Sequence, residues 1–393
     1  MSGASSQPRP RRILPTIIGS QFAGASLWFA GNAVLGDLQA QWGLPPQALG
    51  YATSAVQLGF IAGTLAFAFF AIADRYSPRL VFLLCALAGA LANAALLAAP
   101  PGLAGLLALR FATGFFLAGI YPVGMKIASG WYQKDLGNAL GFLVGALVAG
   151  TAFPHLLRGL GEDLPWQGVL AAASGVAALG GLLMYALVPD GPHLGKGARF
   201  DPRALAEVFR ARAFRASAFG YFGHMWELYA FWAFVPWVLA ARGIDQVSLW
   251  SFAVIGAGAL GCAAGGLVSL RRGSAPVAFA QLSASGACCL ASPLFFLFAP
   301  APGFVAFLLF WGVVVVGDSP QFSALNAQSA PRERVGSALT IANCIGFGIT
   351  IFSIELLNAA SRAIAPQWLF LLLVPGPVLG LAALRPLLAR TPA

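Results

Sequence analysis

Residues 47–99 read QALGYATSAVQLGFIAGTLAFAFFAIADRYSPRLVFLLCALAGALANAALLAA. Two apolar runs, 47–71 and 79–99, flank a short polar hinge that contains Asp74 and Arg75, and Arg79 opens the second run. A helix crossing about 30 Å of hydrocarbon needs about 20 apolar residues, and each run supplies them. A bilayer interior offers no water to pair exposed backbone groups, so both runs are expected as helices. Together they make a hairpin whose charged turn stays in water.

The same alternation extends in both directions. Twelve spans are expected, at 13–35, 47–71, 79–99, 103–126, 137–158, 167–188, 214–239, 248–269, 276–298, 303–327, 336–359 and 367–388. The gaps are short and rich in Pro, Gly and charge, except for a longer one after Pro189. Composition agrees. Only 9% of the 393 residues are charged, 59% are hydrophobic, and mean hydropathy is +0.79. Ordinary globular domains carry about 25% charged residues. A soluble globule and a disordered chain are both excluded. The five cysteines (Cys85, Cys262, Cys288, Cys289 and Cys344) are too sparse for a secreted disulfide scaffold and form no CxxC zinc pair. The fold class is an all-α membrane protein of twelve transmembrane helices.

Charge placement sets the expected topology. With the N-terminus inside the cell, nearly every Lys and Arg between spans falls on the cytoplasmic side, from Arg9, Arg11 and Arg12 through Arg271 and Arg272 to Arg385 and Arg390. Only Arg158, Arg242 and Arg362 fall outside, and Arg110 lies within a span. The net charge of +10 is therefore topological. Nucleic-acid binding would need a solvated basic domain, and none is present. The expected location is a plasma (bacterial inner) membrane, with both termini cytoplasmic and the first helix retained rather than cleaved as a signal.

Twelve spans and one longer loop divide the chain into a tail at 1–12, a six-helix bundle at 13–188, a cytoplasmic loop at 189–213, a second bundle at 214–388 and a tail at 389–393. Traces of a parallel repeat support two pseudo-symmetric halves. Gly137-Asn138-Ala139-Leu140 opens span five, and Gly336-Ser337-Ala338-Leu339 opens span eleven. Asp74 likewise falls opposite Ser269, at a similar shift of roughly 200 residues. Within the loop, Pro202 to Arg212 suits a short amphipathic helix with Leu205, Val208 and Phe209 on one side.

Quoted motifs carry a family resemblance over nearly the full length. The hinge Phe70-Ala71-Ile72-Ala73-Asp74-Arg75-Tyr76-Ser77-Pro78-Arg79 keeps an acid and two basic residues at the spacing found in the major facilitator superfamily. Arg110, Gly114, Gly119 and Pro122 match its span-four pattern. Gly141, Gly145, Gly150 and Pro154 resemble its span-five glycine ladder, followed here by His155-Leu156-Leu157. The resemblance implies two six-helix bundles around a central cavity lined by spans one, four, seven and ten. It implies alternating access, a cytoplasmic latch of Asp74, Arg75 and Arg79, and Arg110 near the proton-coupling machinery.

Ionisable groups inside a membrane cost about 2.5–3.5 kcal/mol each on insertion scales, so each one needs a reason. Span seven reads His224-Met225-Trp226-Glu227-Leu228-Tyr229, and His224 and Glu227 share a helix face. An imidazole and a carboxyl at that spacing make a candidate proton relay. Asp318 precedes Ser319-Pro320-Gln321 in span ten, where proline frees a backbone carbonyl. His224, Glu227, Asp318 and Arg110 are the proton-coupling candidates. Asn32, which the repeat sets opposite Glu227, joins Trp28, Tyr121, Trp226, Tyr229 and Gln321 as substrate-cavity candidates. His155 and Glu355 are expected in an outer vestibule.

No P-loop, GxSxG or HExxH motif is present, so neither ATP-driven transport nor an enzyme is expected. The reading is a secondary active transporter for a small organic solute, coupled to protons. Three embedded acids against one arginine favour a neutral or cationic solute. A transition-metal transporter of the same fold is the alternative, through His224, Met225, Glu227, His155 and the cysteines. The expected partners are the solute, protons and lipid; no cofactor, bound metal or nucleic acid is expected, and the chain is expected to be a monomer.

Overall fold

The computed structural model describes residues 10–132, 136–160, 164–194, 201 and 204–388, without the side chains of 136–138 and 204–206. Expectations for Arg9, Lys134, Lys196, Arg199, Pro202, Arg203, Leu205, Arg390, both tail ends and the side chains of Gly137-Asn138 lie outside the described residues. Regular structure among the described residues is helical. Among the described residues, ten helices are long and apolar enough to cross a membrane, from Ala48–Phe69 to Pro366–Leu388. Two further spans complete the twelve. The seventh, Arg212–Ala241, carries His224 and Glu227. The first is interrupted, running as Ile13–Ala25, Ala30–Ala33 and Leu35–Trp42. The continuous helix expected at 13–35 is thus corrected. No proline causes the break; the carbonyls it frees are taken by a side chain from another span.

Proline accounts for the other discontinuities. Span four breaks between Leu103–Leu117 and Tyr121–Trp131, with Pro122 just inside the second piece. Span ten breaks at Asp318, between Ala301–Gly317 and Ser319–Ser329. A helix proline at position i leaves the carbonyl of i−4 without its N–H donor. Pro320 in this way frees the Val316 carbonyl, and the Cys262 thiol donates to it at 3.4 Å. Pro293 in span nine frees the Cys289 carbonyl, and Ser292 Oγ donates to that one at 2.8 Å. Side chains thus satisfy backbone groups where water cannot.

The two halves repeat each other in packing. Gly114 lies so close to span two that a Cβ would stand 2.0 Å from the Val56 carbonyl oxygen; Gly312 stands in the same relation, 2.0 Å, to Val254. Gly63 against Phe115 recurs as Gly261 against Val313. One constant shift along the chain carries the first pair of contacts onto the second. Small residues that let backbones touch replace the hydrophobic effect as the packing force in lipid. Between the bundles, spans five and eight run together, with Gly145 against Ala259 and Gly159 against Leu249. Spans two and eleven meet at one end, where Ser54 Oγ donates to Glu355 Oε1 at 2.6 Å and Asn358 Nδ2 donates to the Gln47 carbonyl at 3.2 Å.

Candidate transport site

Span seven presents three stripes, each at helical spacing and each to a different neighbour. Tyr221, Met225, Leu228, Tyr229 and Trp232 face a cavity of 280 Å³ between the bundles. His224, Glu227 and Phe231 turn into the interior of the second bundle. Phe219, Phe222 and Trp226 face outward toward span twelve.

The cavity is lined across from span seven by Thr64, Tyr121 and Met125 of the first bundle and by Ser319, Ser323, Asn326, Thr340 and Asn343 of the second. Phenol, hydroxyl, amide, thioether and indole groups are present. No lining residue is an acid, a lysine, an arginine or a histidine. The lining reaches Ala327 and Leu339, near the ends of spans ten and eleven, so the cavity opens toward the face that carries the Asp74 hinge.

Its other end is shut by aromatic rings from both bundles. Trp28 packs on Phe60, Tyr229 and Phe347 at centroid distances of 4.9, 5.6 and 5.7 Å. Phe60 and Phe347 touch at 4.4 Å. All four rings are buried. Beyond them lies a second chamber of 510 Å³, lined by Phe29, Asn32, His155 and Trp237 among others. Phe29 of that chamber meets Trp232 of the cavity edge-on at 6.3 Å.

The acids expected in the cavity lie behind it. His224 Nδ1 stands 2.8 Å from Asp318 Oδ1, and both side chains are fully buried. Glu227, also fully buried, accepts from the Cys289 thiol at 3.5 Å. Ser285, which accepts from Trp311 Nε1 at 3.1 Å, completes the polar wall. Spans seven, nine and ten therefore enclose an imidazole and two carboxyls in hydrocarbon. Burying ionisable groups in this way is costly unless they pair with one another, as His224 and Asp318 do.

Residues 16–354 match the sequence model of the Major Facilitator Superfamily. The chain belongs to this superfamily. It is a multi-pass membrane protein of secondary-transporter character and not an enzyme. Solved structures share the fold. The human organic anion transporter MFSD10 (TETRAN) is 16% identical, with TM-score 0.72, over 96% of this chain and 100% of that one. The proton:xylose symporter XylE is 14% identical, with TM-score 0.75, over 97% and 96%. A variant of the nucleoside transporter NupG is 13% identical, with TM-score 0.72, over 95% and 99%. No curated protein sequence matches the chain.

Against this superfamily fold, the remaining sequence candidates separate. Tyr121, Tyr229 and, by their neighbours, Trp28 belong to the cavity and its closed end. Asn32 lines the far chamber instead and donates to Thr53 Oγ1 at 2.7 Å. Trp226 donates to the Leu372 carbonyl at 3.1 Å, away from the cavity. Gln321 is buried beside the break in span ten. His155 lines the far chamber, while Glu355 sits at the contact of spans two and eleven.

Among the described residues, no acid pairs with Arg110. Its guanidinium donates to the carbonyl of Leu27 at 3.1 Å and to that of Trp28, the two carbonyls exposed by the break in span one. A planar fork of donors suits two adjacent carbonyls, and full burial makes both bonds costly to lose. At the hinge, Asp74 meets Lys126 at 2.5 Å, joining spans two and four. Arg79 lies 5.1 Å over the Tyr185 ring and reaches the Tyr185 carbonyl at 3.4 Å, joining spans three and six. These bonds tie helix ends within the first bundle. Arg75 ends the short hinge helix Ile72–Arg75, two residues before Ser77.

Sequence reasoning missed Lys126, Tyr221, Phe60 and Phe347. Tyr221 was within reach: Tyr221, Met225, Leu228 and Trp232 fall three to four residues apart, on the face next to that of His224. For Phe60 and Phe347, each an ordinary apolar residue in an apolar span, the chain offers no local signal.

Proposed function

We propose that the chain is a proton-coupled secondary transporter that moves a small uncharged organic solute by alternating access. The observation that carries this reading is the cavity between the bundles, lined by aromatic and uncharged polar groups, with the buried His224–Asp318 pair directly behind it on two of the same spans. Bundles 13–188 and 214–388 rock about the aromatic layer. Tyrosine and indole faces pack on the apolar side of the solute, and Ser319, Asn326 and Asn343 pair with its polar groups. Proton gain and loss at His224, Asp318 and Glu227 change the balance of charge inside the second bundle and so bias the packing of spans seven and ten.

Positive-inside charge placement supports cytoplasmic termini, so the cavity of this structure opens to the cytoplasm. The three embedded acids lie outside the cavity lining, which removes the ground for preferring a cation. For the transition-metal alternative, no three His, Cys, Asp or Glu side chains are grouped as metal donors among the described residues.

The test is thermal unfolding of the purified protein with uncharged, cationic and anionic solutes and with metal ions, at pH 5.5 and 7.5. A ligand at 100 times its Kd stabilises the folded state by about 2.7 kcal/mol. Stabilisation by uncharged solutes, with a size that differs between the two pH values, is expected. Stabilisation by organic ions or metals alone contradicts the reading.

A further inference from the structure

The third stripe of span seven faces neither the cavity nor the buried acids. Phe219, Phe222 and Trp226 line a groove of 580 Å³ on the membrane-facing side, walled by Ile349 and Phe352 of span eleven and Leu379 of span twelve. Its origin is local. Spans seven and twelve touch at Gly223 and Gly376, where a Cβ on Gly223 would stand 2.3 Å from the Gly376 carbonyl oxygen. Span twelve changes there from the 3-10 helix Pro366–Leu373 to the α-helix Pro375–Leu388. Bulky side chains flank this glycine contact, so a wedge opens beside it. Phe219 is 48% exposed, Leu379 69% and Phe352 72%. The indole N–H of Trp226 is already engaged by the Leu372 carbonyl, so the groove presents hydrocarbon and ring faces.

At one end the stripe changes chemistry. Arg215 lies one turn before Phe219, and Arg212 lies two turns before it, so both continue the same helix face. Both are exposed. Arg215 Nη1 donates to the Phe209 carbonyl at 3.1 Å, which leaves its other N–H groups available. The Phe209 ring packs on Phe219 and Phe222 at 6.2 and 6.3 Å, so the loop helix Ala204–Arg210 closes the foot of the groove. The stripe Arg212, Arg215, Phe219, Phe222, Trp226 contains no acid. An apolar trough that ends in two guanidinium groups matches one molecule in both parts, an acyl tail and the phosphate of an anionic headgroup. Guanidinium forks suit phosphate oxygens.

We infer that this groove is a binding site for one anionic phospholipid, its tail against Phe219, Phe222, Phe352 and Leu379 and its phosphate on Arg212 and Arg215. The test is native mass spectrometry of the delipidated full-length protein titrated with dioleoyl phosphatidylglycerol or with dioleoyl phosphatidylcholine. One phosphatidylglycerol is expected to bind at least tenfold more tightly than phosphatidylcholine with the same tails. A basic residue near an anionic headgroup contributes about fivefold in affinity, so Arg212→Gln/Arg215→Gln should lower phosphatidylglycerol binding about thirtyfold and lower phosphatidylcholine, whose phosphate is offset by its choline, by much less. Arg212→Gln alone preserves the Phe209 bond and should show the fivefold step. Leu379→Trp, which fills the trough, should weaken both lipids. Equal binding of the two lipids by the unaltered protein overturns the proposal. So does an undiminished preference in both arginine variants, or undiminished binding in Leu379→Trp.

Discussion

Phe29 lines one chamber, Trp232 lines the other, and their rings meet edge-on at 6.3 Å. This aromatic contact between spans one and seven therefore stands in the wall between the two compartments. Trp28, one residue earlier, fills the middle of the same wall. Thinning this wall should uncouple the two sides. Trp232→Leu is expected to keep downhill solute flux in proteoliposomes while losing accumulation against a gradient. Flux and accumulation lost together would assign Trp232 to solute binding instead.

Arg110 holds the carbonyls of Leu27 and Trp28 at the break in span one, and so fixes where Trp28 points. Removing a partner from a buried bond of this kind leaves polar atoms unpaired, at about 1–3 kcal/mol each. Arg110→Gln is expected to lower thermal stability by several kcal/mol, and Arg110→Lys by less. Unfolding curves in detergent compare the two.

Ser54 and Glu355 bond across the bundles at the end opposite the open cavity. Breaking a hydrogen bond to a charged group costs about 1.5–3 kcal/mol, or roughly tenfold or more in an equilibrium between two conformers. Glu355→Ala should shift the protein toward the conformer in which the far chamber is open. Labelling of Asn32→Cys by a membrane-impermeant maleimide should then speed up about tenfold relative to the same cysteine beside an intact Glu355.

Gly114 and Gly261 occupy tight crossings in opposite halves, with the space for a Cβ taken by backbone oxygens of Val56 and Val313 at 2.0 and 1.9 Å. Backbone cannot swing aside as a side chain does. Overpacking of this kind costs about 1–3 kcal/mol or more. Gly114→Val and Gly261→Val are both expected to reduce the yield of monodisperse protein, whereas Gly266→Val, with open space around it, should not.

Much of the fold was legible because membrane spans are a one-dimensional signal. Length, apolarity and basic loops sufficed for eleven spans and for the end positions of most. The first span broke the rule, since its interruption depends on Arg110, distant in sequence. The site was less legible for a related reason. In a soluble helix a polar stripe marks solvent, but in span seven the lipid face, the cavity face and the bundle interior are all rich in aromatics. Spacing placed His224 and Glu227 on one face without saying which. Their partner Asp318 lies in another span, and no local pattern joins them. The repeat was traced in sequence through loop residues, while the stronger trace, the glycine contacts at Gly63, Gly114, Gly261 and Gly312, becomes visible only when the helices are packed.

The central claim is that the cluster around His224 and Asp318 couples transport to protons, and proteoliposomes test it most directly. An uncharged solute found by thermal unfolding would be loaded under an imposed pH gradient, with the unaltered protein, Asp318→Asn and Glu227→Gln compared. Gradient-driven accumulation is expected of the unaltered protein only, with solute exchange between the two sides retained in both variants. Accumulation that still scales with the pH gradient in Asp318→Asn and Glu227→Gln would contradict it.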